Sequence, residues 1–115
     1  TTIALACLRL VPPPGRVAGT VRVNGRELLE LDETELCALR GRDVGMVFQN
    51  PMTAFNPVRT IGRQLAAAWL RHHAGGTRAE ARERAIGALR DVGIPAPERR
   101  VDAYPHEMSA GMLQR

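Results

Sequence analysis

The sequence contains no lysine. All 16 basic residues are arginine, set against 12 acidic ones, for a formal charge of +4. A phosphate loop of the G-x-x-x-x-G-K-[ST] kind cannot be complete in this chain, because the lysine that reaches the phosphates is missing. Aromatic side chains are scarce, with two Phe, one Tyr and one Trp. Nucleic-acid binders combine clustered basic charge with aromatic stacking platforms. Here the arginines are scattered, so they read as solvated helix faces and no nucleic-acid partner is expected. The two cysteines, Cys7 and Cys37, have no C-x-x-C spacing, which excludes a disulfide framework and argues against a metal site. Both are expected to be small, reduced, buried apolar residues. No apolar run approaches the roughly 18 residues of a membrane span. No leader pattern of basic, apolar and small residues opens the chain. These absences predict a cytosolic chain, or one held at a membrane by protein contacts.

What is present fits one small domain or part of a larger one: 115 residues, 44% apolar and 24% charged. The chain opens on Thr1 rather than Met and stops at Gln114-Arg115 inside a beginning helix, so both ends are expected to be cut. Residues 1–10 are mostly apolar and predict a buried helix, stopped by Pro12-Pro13-Pro14-Gly15. Gly19 to Val23 alternates as a strand. Asn24-Gly25 is a strong hairpin turn, and Arg26 to Leu29 would return. Asp32 with Glu35 makes a capping box for a short helix whose stripe is Leu36 and Leu39, ended by Gly41. Val44 to Phe48 suits a strand buried on both faces, and residues 49–57 suit a loop.

The second half reads as helix. Ile61, Leu65, Ala68 and Trp69 recur at helical spacing, and Gly75-Gly76 breaks the run. Trp69 is expected to pack within the helices. His72 and His73 sit where positive charge favours a helix C-terminus, and His106 stands alone. Thr77 with Glu80 repeats the capping box. Ala81, Ala85, Ala88, Leu89 and Val92 line the next helix, which Gly93 and Pro95 stop. A turn of helix is expected over residues 97–104. Ser109 is placed as the cap of a last helix.

Three stretches, in order, carry a resemblance. VFQNPMTAFNPV, Val47 to Val58, resembles the Q-loop of ABC ATPases, with the continuation seen in oligopeptide, dipeptide and nickel importers. YPHEMSAGMLQR, Tyr104 to Arg115, resembles the signature segment of that branch. Between them lies a helical insertion of fitting length, with Ala81-Arg82-Glu83-Arg84-Ala85 and Val92-Gly93-Ile94-Pro95. The chain is thus similar to an internal piece of the ATP-binding subunit of an ABC transporter. The resemblance implies an α/β fold: a partial P-loop NTPase (RecA-like) core with antiparallel β over residues 1–57, ending in the Q-loop, and a helical subdomain over 58–115, ending at the signature.

The resemblance also implies roles. Gln49 would meet Mg²⁺ and orient water, since its amide accepts without adding charge near phosphate. Thr1 would be the Ser/Thr of the phosphate loop, or its neighbour, and a Mg²⁺ ligand. Ser109, Ala110, Gly111 and Met112 would face the γ-phosphate of ATP held by a second ATP-binding subunit, in a homo- or heterodimer. Ala110 departs from the usual glycine, and its methyl disfavours positive φ. Met52, Phe55, Asn56 and Pro57 would contact transmembrane permease subunits at the cytoplasmic face of the membrane. The phosphate loop, the Asp-Glu strand and the switch histidine are not in this sequence, so the chain alone is expected neither to hydrolyse ATP nor to bind it tightly. The rival reading is a truncated, non-enzymatic module that docks on a membrane subunit.

Overall fold

The computed structural model describes residues 2–48 and 50–115; the side chains of Pro51 and Met52 also lie outside the description. Thr1 and Gln49, both assigned roles above, are therefore outside the described residues. The chain forms two compact units, Thr1–Val47 and Phe48–Arg115.

In the first unit, α1 spans Thr2–Cys7. It stops before the prolines. Arg9 adopts a left-handed φ of 52°, its N–H donates to Ala6 O, and Leu10 N–H donates to Leu5 O. This paired bonding satisfies the last carbonyls and ends the helix locally, so the prolines follow a stop that already exists. The helix is also less buried than its apolar composition predicts: no residue of α1 is buried, and Ile3 is 81% exposed. Burial begins just past its end, at Leu8. The Leu8 carbonyl accepts from Arg40 Nε and Nη2 at 3.1 and 2.7 Å.

The hairpin forms where expected, but is shorter. Strands β1 (Arg22–Val23) and β2 (Arg26–Glu27) pair antiparallel, with Arg22 opposite Glu27 and Val23 opposite Arg26. Asn24 and Gly25 both take positive φ, 50° and 78°, the geometry of a tight hairpin turn whose twist matches the strands. Helix α2 spans Glu33–Leu39, and Asp32 and Glu35 complete the expected capping box. Leu36 and Leu39 join Leu28 in a small core with none of the three more than 1% exposed. Cys7 and Cys37 are free but only half-buried, more open than predicted. The strand expected over residues 44–48 is not formed. Val44 makes one isolated bridge to Arg40, and Val47 is 85% exposed. A buried strand needs neighbours on both edges, and the described residues supply only that one bridge there.

The second unit is helical. Part of the expected 49–57 loop is a short helix, α3, over Pro51–Ala54. Proline is favoured at a first helical position because its missing N–H is unpaired there in any case. Helix α4 spans Ile61–His72 and α5 spans Arg78–Asp91, packed as a hairpin through Gly75, whose φ is 87°. Thr60 caps α4, and Thr77 with Glu80 forms the predicted capping box on α5. The buried stripe of α5 is Ala81, Ala85, Ile86 and Leu89, whereas Ala88 and Val92 are exposed. On α4, Ala68 is likewise exposed. In both helices the apolar periodicity is right, but alanine marks the core face ambiguously, because its one methyl gains little from burial.

Gly93 ends α5 as predicted, at φ 71°. Ile94 N–H donates to Leu89 O, and both side chains enter the core. Short α6, Pro97–Arg100, leads to a 3-10 turn at Pro105–Glu107 and then α7, Ala110–Gln114. Ile61, Ala85, Ile86, Leu89, Ile94, Val101, Met108 and Leu113 form the core.

Candidate functional site

The corner at residues 104–113 is held from both sides. Tyr104 N–H donates to Glu107 Oε2 at 2.7 Å, fixing the 3-10 turn. The Tyr104 ring stacks on His106 at 5.5 Å. Pro105 is buried, and Met108 and Leu113 anchor the segment in the core. Between these anchors Ser109, Ala110 and Gly111 are exposed.

Ser109 has the extended backbone of a cap, φ −70° and ψ 155°, and its hydroxyl accepts from Met112 N–H at 3.2 Å. A serine hydroxyl has a further lone pair and a proton to offer, so the capping bond leaves it able to meet an anion. Ala110 begins α7 in ordinary right-handed helix, so its methyl meets no demand for positive φ. A Cβ placed on Gly111 would meet nothing within 4 Å, which leaves open space beside that backbone. Met112 points the other way and packs against the core. The structure thus brings Ser109, Ala110 and Gly111 to one surface and turns Met112 away from it.

In the stretch after Gln49, Phe55 is half-buried against the core, while Asn56 and Pro57 are exposed. Asn56 is tied down: its N–H donates to Gln64 Oε1 at 2.8 Å and its carbonyl accepts from Gln64 Nε2 at 3.0 Å. Gln64 Nε2 also donates to Arg59 O at 2.9 Å. One glutamine of α4 therefore fixes the backbone that leads into the helix. Trp69 stacks on His73 with ring centroids 4.1 Å apart and lies over Gly76, at the far end of α4. His73 Nδ1 lies 2.7 Å from Trp69 O. His73 caps the C-terminal end of α4, where positive charge is expected, whereas Trp69 is half-buried on the end of its own helix and is not among the residues packed in or against the core.

No three His, Cys, Asp or Glu side chains converge among the described residues. The two residues assigned to Mg²⁺, Thr1 and Gln49, lie outside them. For phosphate, the exposed Ser109 hydroxyl and the open backbone at Gly111 do fit.

Sequence reasoning missed a second feature. Arg59, Arg63, Arg78 and Arg82 line one open groove of about 670 Å³ along α4 and the start of α5. Arg82 pairs with Asp102 through two parallel bonds, each 2.7 Å. That hydrogen bonding, with the guanidinium's charge, holds the Asp102 carboxyl below its usual range and raises Arg82. Part of the signal was present in the sequence: Arg78 and Arg82 stand at i, i+4 spacing and share one face of α5, whereas Arg59 precedes α4.

The chain matches known proteins along its length. The ABC transporter family profile covers residues 1–115. A probable peptide ABC transporter ATP-binding protein of Sinorhizobium fredii is 50% identical over 97% of this chain and 34% of its own length. A dipeptide transport ATP-binding protein of Escherichia coli is 45% identical over 97% of this chain and 34% of its own. An oligopeptide transport ATP-binding protein of Bacillus subtilis is 42% identical over 96% and 31%. The chain spans about a third of the length of these relatives. With the profile matching from its first residue to its last, this chain belongs to the ABC transporter family.

Proposed function

We propose that the chain is the central part of the ATP-binding, ATP-hydrolysing subunit of an ABC importer for peptides, nickel or similar solutes. What carries this reading is that relatives described as peptide, dipeptide and oligopeptide transport ATP-binding proteins align over nearly all of it. Residues 1–57 would belong to the RecA-like core and 58–115 to the helical subdomain. The compact units divide after Val47; the functional boundary counts the loop that follows with the core. In the complete subunit, ATP would supply the free energy and Mg²⁺ would offset phosphate charge, with Thr1 and Gln49 as its ligands.

The chain's own contribution on the signature side is positional. Ser109 would donate its hydroxyl to the γ-phosphate of ATP bound by a second ATP-binding subunit, and the open face beside Gly111 would admit it. Support comes from Ser109 being a helix cap yet exposed, on a corner fixed by Pro105, Met108 and Leu113. Asn56, exposed and held by Gln64, and the exposed Pro57 suit contact with a transmembrane permease subunit, which would place the parent protein peripherally on the cytoplasmic face of the membrane. Phe55 would stabilise that surface from beneath, since it packs inward. No helix among the described residues is long and apolar enough to cross a membrane.

A chimera tests the proposal. The matched third of the Escherichia coli dipeptide transport ATP-binding protein is replaced by this chain, and ATP turnover and dipeptide uptake are measured. Turnover that Gln49→Ala abolishes supports the reading. If the chimera assembles but neither it nor its Ala110→Gly version hydrolyses ATP, the reading fails.

A further inference from the structure

The turn that delivers Ser109 is closed by a side chain. Glu107 is exposed, yet its carboxylate folds back over its own 3-10 turn and accepts the Tyr104 N–H at 2.7 Å. Ordering a long, solvated side chain costs conformational entropy, and a charge-assisted bond to a backbone amide offsets that cost. The turn needs the help, because 3-10 hydrogen bonds have poor geometry. Its backbone bonds are Glu107 N–H to Tyr104 O at 3.0 Å and Met108 N–H to Pro105 O at 3.2 Å. Pro105 has no N–H with which to add another. Glu107 is held from a second side as well, since its carbonyl accepts from Arg100 Nη1 at 3.2 Å.

What the turn sets is a direction. Met108 and Ser109 follow it with extended backbone, ψ 146° and 155°. In an extended chain successive side chains point to opposite sides. Here Met108 enters the core and Ser109 is exposed. A turn that closed one residue out of place would exchange the two. The bond from Glu107 to Tyr104 fixes the turn from which this pair departs, and so fixes which way the Ser109 hydroxyl faces.

We propose that Glu107 is a positioning residue for ATP turnover, which rests on the proposed contact between Ser109 and the γ-phosphate. By holding Tyr104 it aims the Ser109 hydroxyl, and it acts through reach and hydrogen bonding, not through charge. Three variants separate these properties. Glutamine offers an acceptor oxygen at the same reach without the charge, aspartate keeps the charge but is one methylene short, and alanine has neither. The Arg100 bond goes to a backbone carbonyl and is available in all three, so the variants isolate the carboxylate.

The test is ATP turnover by the chimeric subunit, with far-UV circular dichroism on each variant. Glu107→Ala and Glu107→Asp should lower kcat at least about tenfold, since a misplaced group can cost about a hundredfold. Glu107→Gln should keep at least about half of kcat, and KM for ATP should move less than about twofold in all three, because the loss falls on the transition state. In a Ser109→Ala background, Glu107→Ala should cost less than about twofold more, since residues that act as a unit are not additive. A role in folding alone would add its full cost there, and that result would overturn the proposal. So would loss of kcat with Glu107→Gln and retention with Glu107→Asp, which would assign the effect to charge. Loss of helical signal in both Glu107→Ala and Glu107→Asp would reduce Glu107 to a stabilising contact and overturn it too. If Ser109→Ala lowers turnover and Glu107→Ala does not, this inference falls alone. An inactive chimera, or one indifferent to Ser109→Ala, would sink the reading of Ser109 and this inference with it.

Discussion

The amide of Gly62 donates to the carbonyl of Val101 at 2.8 Å, and one residue earlier Ile61 donates to Ala103 at 2.9 Å. The opening amides of a helix have no partner within it. Here the 101–103 segment takes two of them, and Thr60 Oγ1 takes a third, from Arg63, at 3.4 Å. The approach is so close that a Cβ on Gly62 would lie 2.3 Å from Val101 Cγ2 and 2.6 Å from Val101 O. Gly62 therefore joins the start of α4 to the segment that leads into the exposed Ser109 corner.

Gly62→Ala is accordingly expected to destabilise the second unit by about 1–3 kcal/mol, the usual cost of forcing an atom into a packed site. Urea denaturation followed by helical circular dichroism measures it. Trimming the neighbour, Val101→Ala, should recover little, because the contact with the Val101 carbonyl remains. Full recovery would mean that the side chain alone sets the spacing.

Acid should loosen the same unit. The Glu80 carboxyl accepts from Thr77 N–H at 2.7 Å and from its hydroxyl at 2.8 Å, and these bonds lower its pKa. Asp102 is lowered by Arg82. A group whose folded pKa lies below its unfolded value, about 4 for these carboxyls, stabilises the fold above that pH. The contribution is lost as pH falls through the folded pKa. The melting temperature is therefore expected to fall as the pH is lowered below about 4. Glu80→Gln combined with Asp102→Asn should flatten that dependence; an unchanged slope would assign the acid sensitivity to other carboxyls.

The two capping boxes show why part of this fold was legible. Asp32 with Glu35 and Thr77 with Glu80 are short-range chemistry, and the same holds for Asn24-Gly25 and Gly93, whose positive φ values follow from the residue types. Each needs only neighbours a few residues away. Residues 44–48 failed as a strand for the opposite reason: a β-ladder is a relation between segments, and the described chain offers Val44 a single bridge. The stop at Arg9 was hidden because arginine rarely takes a left-handed φ. At the site, Ser109 was legible as a cap, while the inward turn of Met112 and Phe55 depends on the tertiary core and was not.

The small first core gives a sharper stability prediction. Leu28, Leu36 and Leu39 are its three buried members, and Leu36 has no exposed surface at all. Leu36→Ala should cost roughly 2–5 kcal/mol, enough to cancel much of what a cluster this small contributes. Hydrogen exchange should then speed up at the amides of Leu28 and Arg40, which bond to Val21 O and Leu36 O. Retained protection at both would show that backbone bonding, and not the leucine cluster, holds the unit.

Ser109 separates a structural role from a chemical one. As a cap it satisfies Met112 N–H, so Ser109→Ala should destabilise α7 by about 1 kcal/mol, whereas Ser109→Asp should preserve the cap, since aspartate caps as well as serine does. If the exposed hydroxyl also meets a phosphate, the two variants diverge in the chimeric subunit. The alanine variant loses a donor, but the aspartate variant sets a negative charge against a negative ligand. ATP turnover in the chimera is therefore expected to fall further for Ser109→Asp than for Ser109→Ala, the reverse of their order in stability. Turnover that instead tracks stability would reduce Ser109 to a cap.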